Sequence, residues 1–253
     1  MKAGIVTSLR SQYDLKELLK SLRLPRATYY DRLKRNRKAD KYAEETIRRL
    51  MSDMGLKVTI YSKHTSKYHS YKGRGGKVAP NILKQQFDAK RPFTVLHTDV
   101  TQVRLYNGEW GYISSITDEA SREVLAAIVS ASPNTTLIQS TLDELQHHLK
   151  AGLRPILHSD QGWQYQMPAY QQRLEDMNIV QSMSRKGNCH DNAPIESFFN
   201  LMKRECLNRY RIDDLTSLRK LVDGYVDWFN NARVSRTQNG LTPVEYREQT
   251  MIG

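Results

Sequence analysis

The sequence predicts an α/β fold: a mixed sheet with helices on both faces, preceded by an all-α region rich in basic residues. Three observations predict it. From residue 93 onward, short apolar runs alternate with turn signals. Amphipathic helical stripes then separate the later runs, so strands and helices share one domain. Finally, positive charge is confined to the first third. Residues 1–90 hold 22 Lys and Arg against 8 Asp and Glu, leaving 17 against 19 for residues 91–253. The formal charge of +12 therefore belongs to the amino-terminal region. That asymmetry is expected of a nucleic-acid-binding arm joined to a near-neutral domain. Each phosphate contact releases condensed counterions, so binding through the arm is expected to weaken steeply with salt.

A chain of 253 residues has room for roughly two domains. The expected division is a helical DNA-binding region over 1–60, a basic linker over 61–90 and a catalytic core with carboxy-terminal helices over 91–253. The longest uninterrupted apolar run, Val124–Val129, is far shorter than the ~20 residues a membrane helix needs. The start MKAGIVTSLRSQYD lacks the apolar stretch of a signal peptide. With only two cysteines, Cys189 and Cys206, a disulfide framework is not expected, and a reducing cytoplasm is.

In the amino-terminal region Leu15, Leu18, Leu19 and Leu22 fall at i, i+3, i+4 and i+7, one face of a helix. Pro25 suits the first turn of a second helix, short and basic, running from Arg26 to Arg35. Two short helices joined tightly, the second cationic, form a helix-turn-helix pattern over about 14–35. Arg26, Thr28 and Tyr29 are its expected DNA contacts. A further helix is expected over Tyr42–Met54, with Gly55 as its stop. The following stretch, Tyr61–Lys77, interleaves cations with tyrosines and reads as a linker suited to a DNA backbone. His64 and His69 within it match no zinc-finger spacing.

The core begins with the run Thr94–Asp99. Asn107-Gly108 is a hairpin signal between Thr101–Tyr106 and Glu109–Thr117, and a turn over Asp118–Arg122 leads to Glu123–Ser130. A helix over Thr135–Lys150 follows, with Ile138, Leu142, Leu145 and Leu149 as its buried stripe and Gly152 beyond its end. Pro155–Asp160 gives a fourth strand, about Pro168–Met177 a helix, and Ile179–Ser182 a fifth strand. This order matches the ribonuclease-H-like arrangement.

Asp99 and Asp160 each end an apolar run, and Glu196 opens a helix. Such a layout lets three distant carboxylates meet at one edge of a sheet. Gathered there they repel one another unless a divalent cation neutralises them. A pair of such cations can clamp the attacking and leaving oxygens of a phosphodiester. On the Glu196 helix, Ile195, Phe198, Phe199, Met202 and Cys206 share an apolar stripe. Glu196, Asn200 and Lys203 share a different, exposed row suited to a metal beside a phosphate backbone. The polar loop Ser184–Asn192 offers Arg185, Lys186 and Asn188 to substrate phosphates. Cys189 and His190 are too close in sequence for a nucleophile pair. Asp118, Asp176 and Asp191 compete as metal ligands but lack the strand-end placement.

At these residues the chain resembles the integrase-core transposases of bacterial insertion sequences, of the downstream reading-frame kind. The resemblance is carried by Gly76–Leu83 (GKVAPNIL), Pro155–Tyr165 (PILHSDQGWQY), Gln181–Glu205 (QSMSRKGNCHDNAPIESFFNLMKRE) and Trp228–Tyr246 (WFNNARVSRTQNGLTPVEY). It covers about residues 76–250. It implies that Asp99, Asp160 and Glu196 are an acidic triad binding two Mg²⁺ ions, with Mn²⁺ as a substitute. Lys203 matches the basic residue seven positions past the glutamate that contacts donor DNA. The implied partners are terminal inverted repeats, target DNA and further copies of the chain on paired ends, at the nucleoid. The implied activity is cleavage at element ends to free a 3′-hydroxyl, which attacks another phosphodiester. Two departures stand out. A Tyr-Gly-Tyr-Arg-Arg-containing helical unit usual in the family is missing between the helix-turn-helix and the core. Leu96 stands where a tryptophan is common, three residues before the first aspartate. The shortened amino-terminal region motivates a second reading, a non-catalytic protein that occupies element ends and represses transposition.

Overall fold

The computed structural model describes residues 15–22, 24–25, 28–29, 49, 52–55, 76–150, 152–185 and 189–252. Its contacts divide the chain into two units, residues 1–64 and 65–253. In the first, α1 spans Leu15–Ser21, with Glu17 in its first turn and Lys20 in its last, charges that complement the helix dipole. The amide of Leu24 closes back onto the Leu19 carbonyl at 2.9 Å. The Tyr29 amide donates to the Pro25 carbonyl at 3.0 Å, the i to i+4 spacing of a helical hydrogen bond. Leu19, Leu24 and Tyr29 are buried. Most of the expected 26–35 and 42–54 helices, and all of the 61–75 part of the linker, lie outside the described residues.

The second unit is built on a five-stranded sheet ordered β3-β2-β1-β4-β5. β1 (Val95–Arg104), β2 (Trp110–Asp118) and β3 (Val124–Ser130) form an antiparallel meander. β1 runs unbroken through the apolar run ending at Asp99 and the run after it. Its hairpin closes over residues 105–109, where Gly108 takes φ +89 and Asn107 Oδ1 accepts the Glu109 amide at 3.0 Å. β4 (Ile156–Ser159) lies parallel to β1, and β5 (Val180–Met183) parallel to β4. Parallel pairing requires a crossover. It is supplied by α2 (Thr135–His148) before β4 and by α3 (Pro168–Asp176) between β4 and β5.

Period-two alternation sends side chains to two separate cores. Leu96, Ile116 and Leu157 face Ile138, Leu142 and Leu145 of α2 and Tyr170 and Leu174 of α3. Leu105, Ile113 and Val129 face the other way, against α4 (Ala193–Glu205) and α5 (Leu215–Asn231). α4 contributes Ile195, Phe198, Phe199 and Met202, and α5 contributes Leu218, Val222, Tyr225 and Phe229. The approach is close at one point: a Cβ on Gly111 of β2 would stand 2.3 Å from Leu218 Cδ2. The chain ends in α6 (Pro243–Ile252). Its start is a capping box, in which Glu245 takes the Thr242 amide at 2.9 Å and Thr242 Oγ1 takes the Glu245 amide at 3.3 Å.

Candidate active site

The β1–β4 ladder pairs Val95 with Ile156, Leu96 with Leu157 and His97 with His158. Continued two residues, that register sets Asp99 opposite Asp160, on the face of the sheet that also carries the two histidines. In-register neighbours on adjacent strands lie about 4.8 Å apart in backbone. Two carboxylates are thereby brought together by main-chain pairing alone. Asp160 lies just past the end of β4, where its Oδ1 accepts the Gly162 amide at 2.8 Å. A Cβ at Gly162 would stand 2.9 Å from that same oxygen, so a larger residue there would have to displace the Asp160 carboxylate. Asp99 Oδ1 accepts the amide of Val100 at 2.7 Å.

Glu196 arrives from the first turn of α4, whose apolar stripe packs on the sheet. Its charge is felt at Asp99. Burial pushes the Asp99 carboxyl well above the ordinary range, and the negative charge of Asp160, then that of Glu196, pushes it the same way. The Val100 amide and the Lys203 ammonium act against them. No group of three or more His, Cys, Asp or Glu side chains among the described residues is already arranged to hold a metal ion. The three carboxylates thus converge electrostatically without forming a closed cage. Their chemistry suits a hard divalent cation, which takes oxygen ligands and relieves like-charge repulsion.

The row expected along α4 is not uniformly exposed. Asn200 is exposed, whereas Glu196 and Lys203 are half-buried. Lys203 turns inward to β1, where its Nζ donates to Thr101 Oγ1 at 2.5 Å. Burial pulls the Lys203 ammonium down, while Asp99 holds it up. Helical periodicity put Lys203 beside Glu196 but gave no account of the strand it packs against.

Arg185 leans on Asp191: its Nε and Nη2 each donate to that carboxylate at 3.0 Å, and its amide does so at 2.8 Å. Asn81 Nδ2 and Gln85 Nε2 join at 3.0 and 2.7 Å. The Arg185 bond comes first among the causes that hold the Asp191 carboxyl far below its usual range. Asp191 therefore ties the loop before α4 to the segment over 81–85. Asp118, a second competitor, accepts the amides of Phe93 and Ser121 and the Ser121 hydroxyl, each at 2.7 Å, and caps the β2–β3 turn. Lys186, Asn188 and Arg26 lie outside the described residues. Thr28 is half-buried and Tyr29 has 0% exposure, so the tyrosine is not on an outward face.

Sequence reasoning missed the polar layer directly behind the aspartates. His97 and His158, each two residues before its aspartate, stack edge to face with centroids 5.8 Å apart, both fully buried. His97 Nε2 meets Glu119 Oε2 at 2.7 Å, and His158 Nδ1 meets Ser182 Oγ at 2.8 Å. The repeated His-x-Asp spacing was the available signal.

The same description, integrase core domain, applies to two family profiles that match residues 89–189 and 196–251. The chain is 36% identical to the putative transposase InsK for insertion sequence element IS150 of Escherichia coli (strain K12), over 98% of both chains. It is 39% identical to an uncharacterized transposase-like protein of Haemophilus influenzae, over 85% of this chain and 97% of that one. Among solved structures, a chain of the simian T-cell lymphotropic virus intasome superposes with a TM-score of 0.54 at 15% identity. That match covers 70% of this chain and 59% of the other, and it establishes the ribonuclease-H-like fold.

Proposed function

This chain belongs to the integrase-core transposases of insertion sequences, and on that premise we propose that Asp99, Asp160 and Glu196 are the ligands of two Mg²⁺ ions, with Mn²⁺ as a substitute. The reaction is cleavage at the ends of the element followed by transfer of the freed 3′-hydroxyl to target DNA. One observation carries the reading. The parallel register sets Asp99 beside Asp160, and Asp99 also experiences the charge of Glu196.

When bound, a divalent pair supplies an activated water or sugar hydroxyl and neutralises charge on the phosphodiester in flight. The protein's own groups do the rest. Asp99 carries a raised affinity for protons while the site is metal-free, because burial and two neighbouring carboxylates disfavour its charge. A cation bound there would displace the proton that Asp99 holds, so metal binding would strengthen as pH rises. The Asp160 turn holds one carboxylate in a fixed direction through the Gly162 amide. Lys203, held on Thr101, keeps a positive charge beside Asp99 at the place where a phosphate backbone would run. Asn200, Arg185, Lys186 and Asn188 extend the DNA-contacting surface around the site. Residues 1–60 form the separate end-recognition region, with Arg26 and Thr28 facing DNA and Tyr29 packing the helices that present them. Further copies of the chain assemble on paired ends. Its action is on DNA in the cytoplasm, at the nucleoid. No helix among the described residues is long and apolar enough to cross a membrane.

Strand transfer on short duplexes bearing the element's own ends tests the reading, with Mg²⁺ or EDTA, comparing wild type and Asp160→Asn. Products are expected only from wild type with metal, and Asp160→Asn is expected to bind the ends as well as wild type. Cleavage by Asp160→Asn would sink the assignment. Binding without products from wild type would favour a regulatory protein instead.

A further inference from the structure

Glu119 belongs to no metal-ligand set and lies at the β2–β3 turn, yet it is buried beneath the site, with its side chain 1% exposed. Burial alone would raise its carboxyl. The His97 hydrogen bond and the Ala89 amide, which donates to Oε1 at 2.9 Å, outweigh burial and hold it below its usual range. A carboxylate only accepts hydrogen bonds, so the His97 Nε2 that meets it at 2.7 Å carries the proton. The ring is thereby fixed, and its Nδ1 stands 3.4 Å from Asn192 Oδ1, where it donates when the ring carries its second proton and otherwise packs against the amide.

Asn192 is the N-cap residue of α4, but its side chain makes no capping bond. Asparagine at that position ordinarily accepts from an amide of the first turn. Here the side chain is turned to β1 instead, with Nδ2 donating to the Thr98 carbonyl at 3.3 Å, and the residue is 2% exposed. Thr98 immediately precedes Asp99. Glu196 stands four residues after Asn192, on the same side of the helix. The start of the helix carrying one carboxylate is therefore fastened to the strand carrying another.

We propose that Glu119 is a positioning residue for the metal site: through His97 and Asn192 it sets the distance between Glu196 on α4 and Asp99 on β1. Asp99 and Asp160 are spaced by main-chain pairing and need no such aid. Glu196 comes from a helix that apolar packing alone would leave free to slide and rotate. The three carboxylates do not form a ready-made cage, so gathering them on a cation would depend on where α4 starts. Outer residues that orient ligands in this way set affinity, although they touch no metal.

The inference rests on the two-metal reading of Asp99, Asp160 and Glu196. Its test is Mn²⁺ binding by calorimetry to the full chain without DNA, for wild type, Glu119→Ala, Glu119→Gln, Asn192→Ala and Asp160→Asn. End-DNA affinity is measured in EDTA for the same proteins. Glu119→Ala and Asn192→Ala are expected to weaken Mn²⁺ binding by about 10–100-fold and to raise the Mg²⁺ needed for half-maximal cleavage in proportion. Glu119→Gln, which keeps an oxygen facing His97, is expected to fall between them and wild type. DNA affinity in EDTA is expected to stay at the wild-type value, which separates positioning from general damage. If Glu119→Ala fails to fold, Asn192→Ala decides alone, because it removes no buried charge. Wild-type Mn²⁺ affinity in Asn192→Ala overturns the proposal. Wild-type Mn²⁺ affinity in Asp160→Asn overturns the metal reading beneath it, and the two failures are distinct.

Discussion

The two faces of the sheet are held by different physics. On the α2–α3 side the contact is almost wholly apolar, with Leu96, Ile116 and Leu157 of the sheet meeting Ile138, Leu142, Leu145 and Leu174. On the α4–α5 side an apolar core of similar kind is overlaid with directional bonds. Asn230 of α5 donates to the Val124 carbonyl and accepts the Val124 amide, both at 2.9 Å. Arg233 grips Glu205 through two nitrogens, and Tyr225 donates to the same carboxylate at 2.8 Å. Arg247 reaches Glu123, Gln238 bonds the Ser121 carbonyl, and Arg219 bonds that of Val129. Burial of apolar area is non-directional, so it stabilises a helix on a sheet without fixing its register. Hydrogen bonds fix it. The α2–α3 face carries none of the three acids, whereas α4 delivers Glu196. Directional bonding is concentrated on the face whose helix has to be in register.

The largest expected effect comes from breaking both faces at equal cost. Leu142→Ala on one and Phe198→Ala on the other each remove a large buried side chain, for about 3–5 kcal/mol of stability. Urea unfolding is expected to show comparable losses. Strand transfer per folded molecule, measured at low temperature, is expected to survive Leu142→Ala and to fall severalfold in Phe198→Ala, because α4 carries Glu196, one of the three proposed metal ligands. Equal retention of activity by both variants would remove the functional side of the comparison.

Acid sharpens it next. His158 lies on the α4 side of the sheet, where burial first, and then the neighbouring His97, pull its pKa down to about 4. The unfolded histidine takes a proton near pH 6.5 while the folded one does not. The stability that depends on neutral His158 is therefore fully present above pH 6.5 and is lost progressively as pH falls towards 4. The full loss is on the order of 3 kcal/mol. Asp99 acts in the opposite sense: its raised carboxyl takes up a proton in the folded state first, so folding gains as pH falls. Subtracting the curve of His158→Asn from that of wild type, in EDTA throughout, isolates the histidine. A difference independent of pH between 6.5 and 4 would mean that the buried ring does not resist protonation.

Much of this architecture was legible because its rules are local. Apolar runs bounded by turn residues marked β4 and β5 to within a residue or two, and the Ile138–Leu145 stripe marked α2. Asp99, Asp160 and Glu196 could be singled out as candidates because strand ends and a helix start are recognisable in one dimension. What stayed hidden depends on register between distant segments. Asn230 meets Val124 across 106 residues, and no pattern around either announces the other. The Trp228–Tyr246 segment stood out by resemblance, but its role as a set of clasps on the β2–β3 turn emerges only when α5 is laid on the sheet. Lys203 likewise reads as a surface cation on a helical wheel, until Thr101 is found opposite it. The Glu119–His97 pair spans the β1–β2 hairpin, so helix or strand periodicity alone could not pair them.

The smallest effect tests the comparison at the level of single ion pairs. Arg173 bonds Asp143 and Gln146 between α3 and α2, with side-chain exposures of 32% and 62% for the charged pair. Arg233 and Glu205 are less exposed, at 24% and 26%, and two-pronged, and Glu205 also carries the Tyr225 hydroxyl. Water and salt screen the first pair, so Arg173→Ala is expected to cost under about 1 kcal/mol and to cost less still at high ionic strength. Arg233→Ala leaves Glu205 with one remaining donor at the junction of α4 and α5, for a loss of about 1.5–3 kcal/mol that salt does not erase. Urea unfolding of both variants at low and high salt measures the difference. A larger or salt-insensitive loss in Arg173→Ala would mean that the α2–α3 face, too, depends on directional bonds, and that the contrast between the faces is one of number and not of kind.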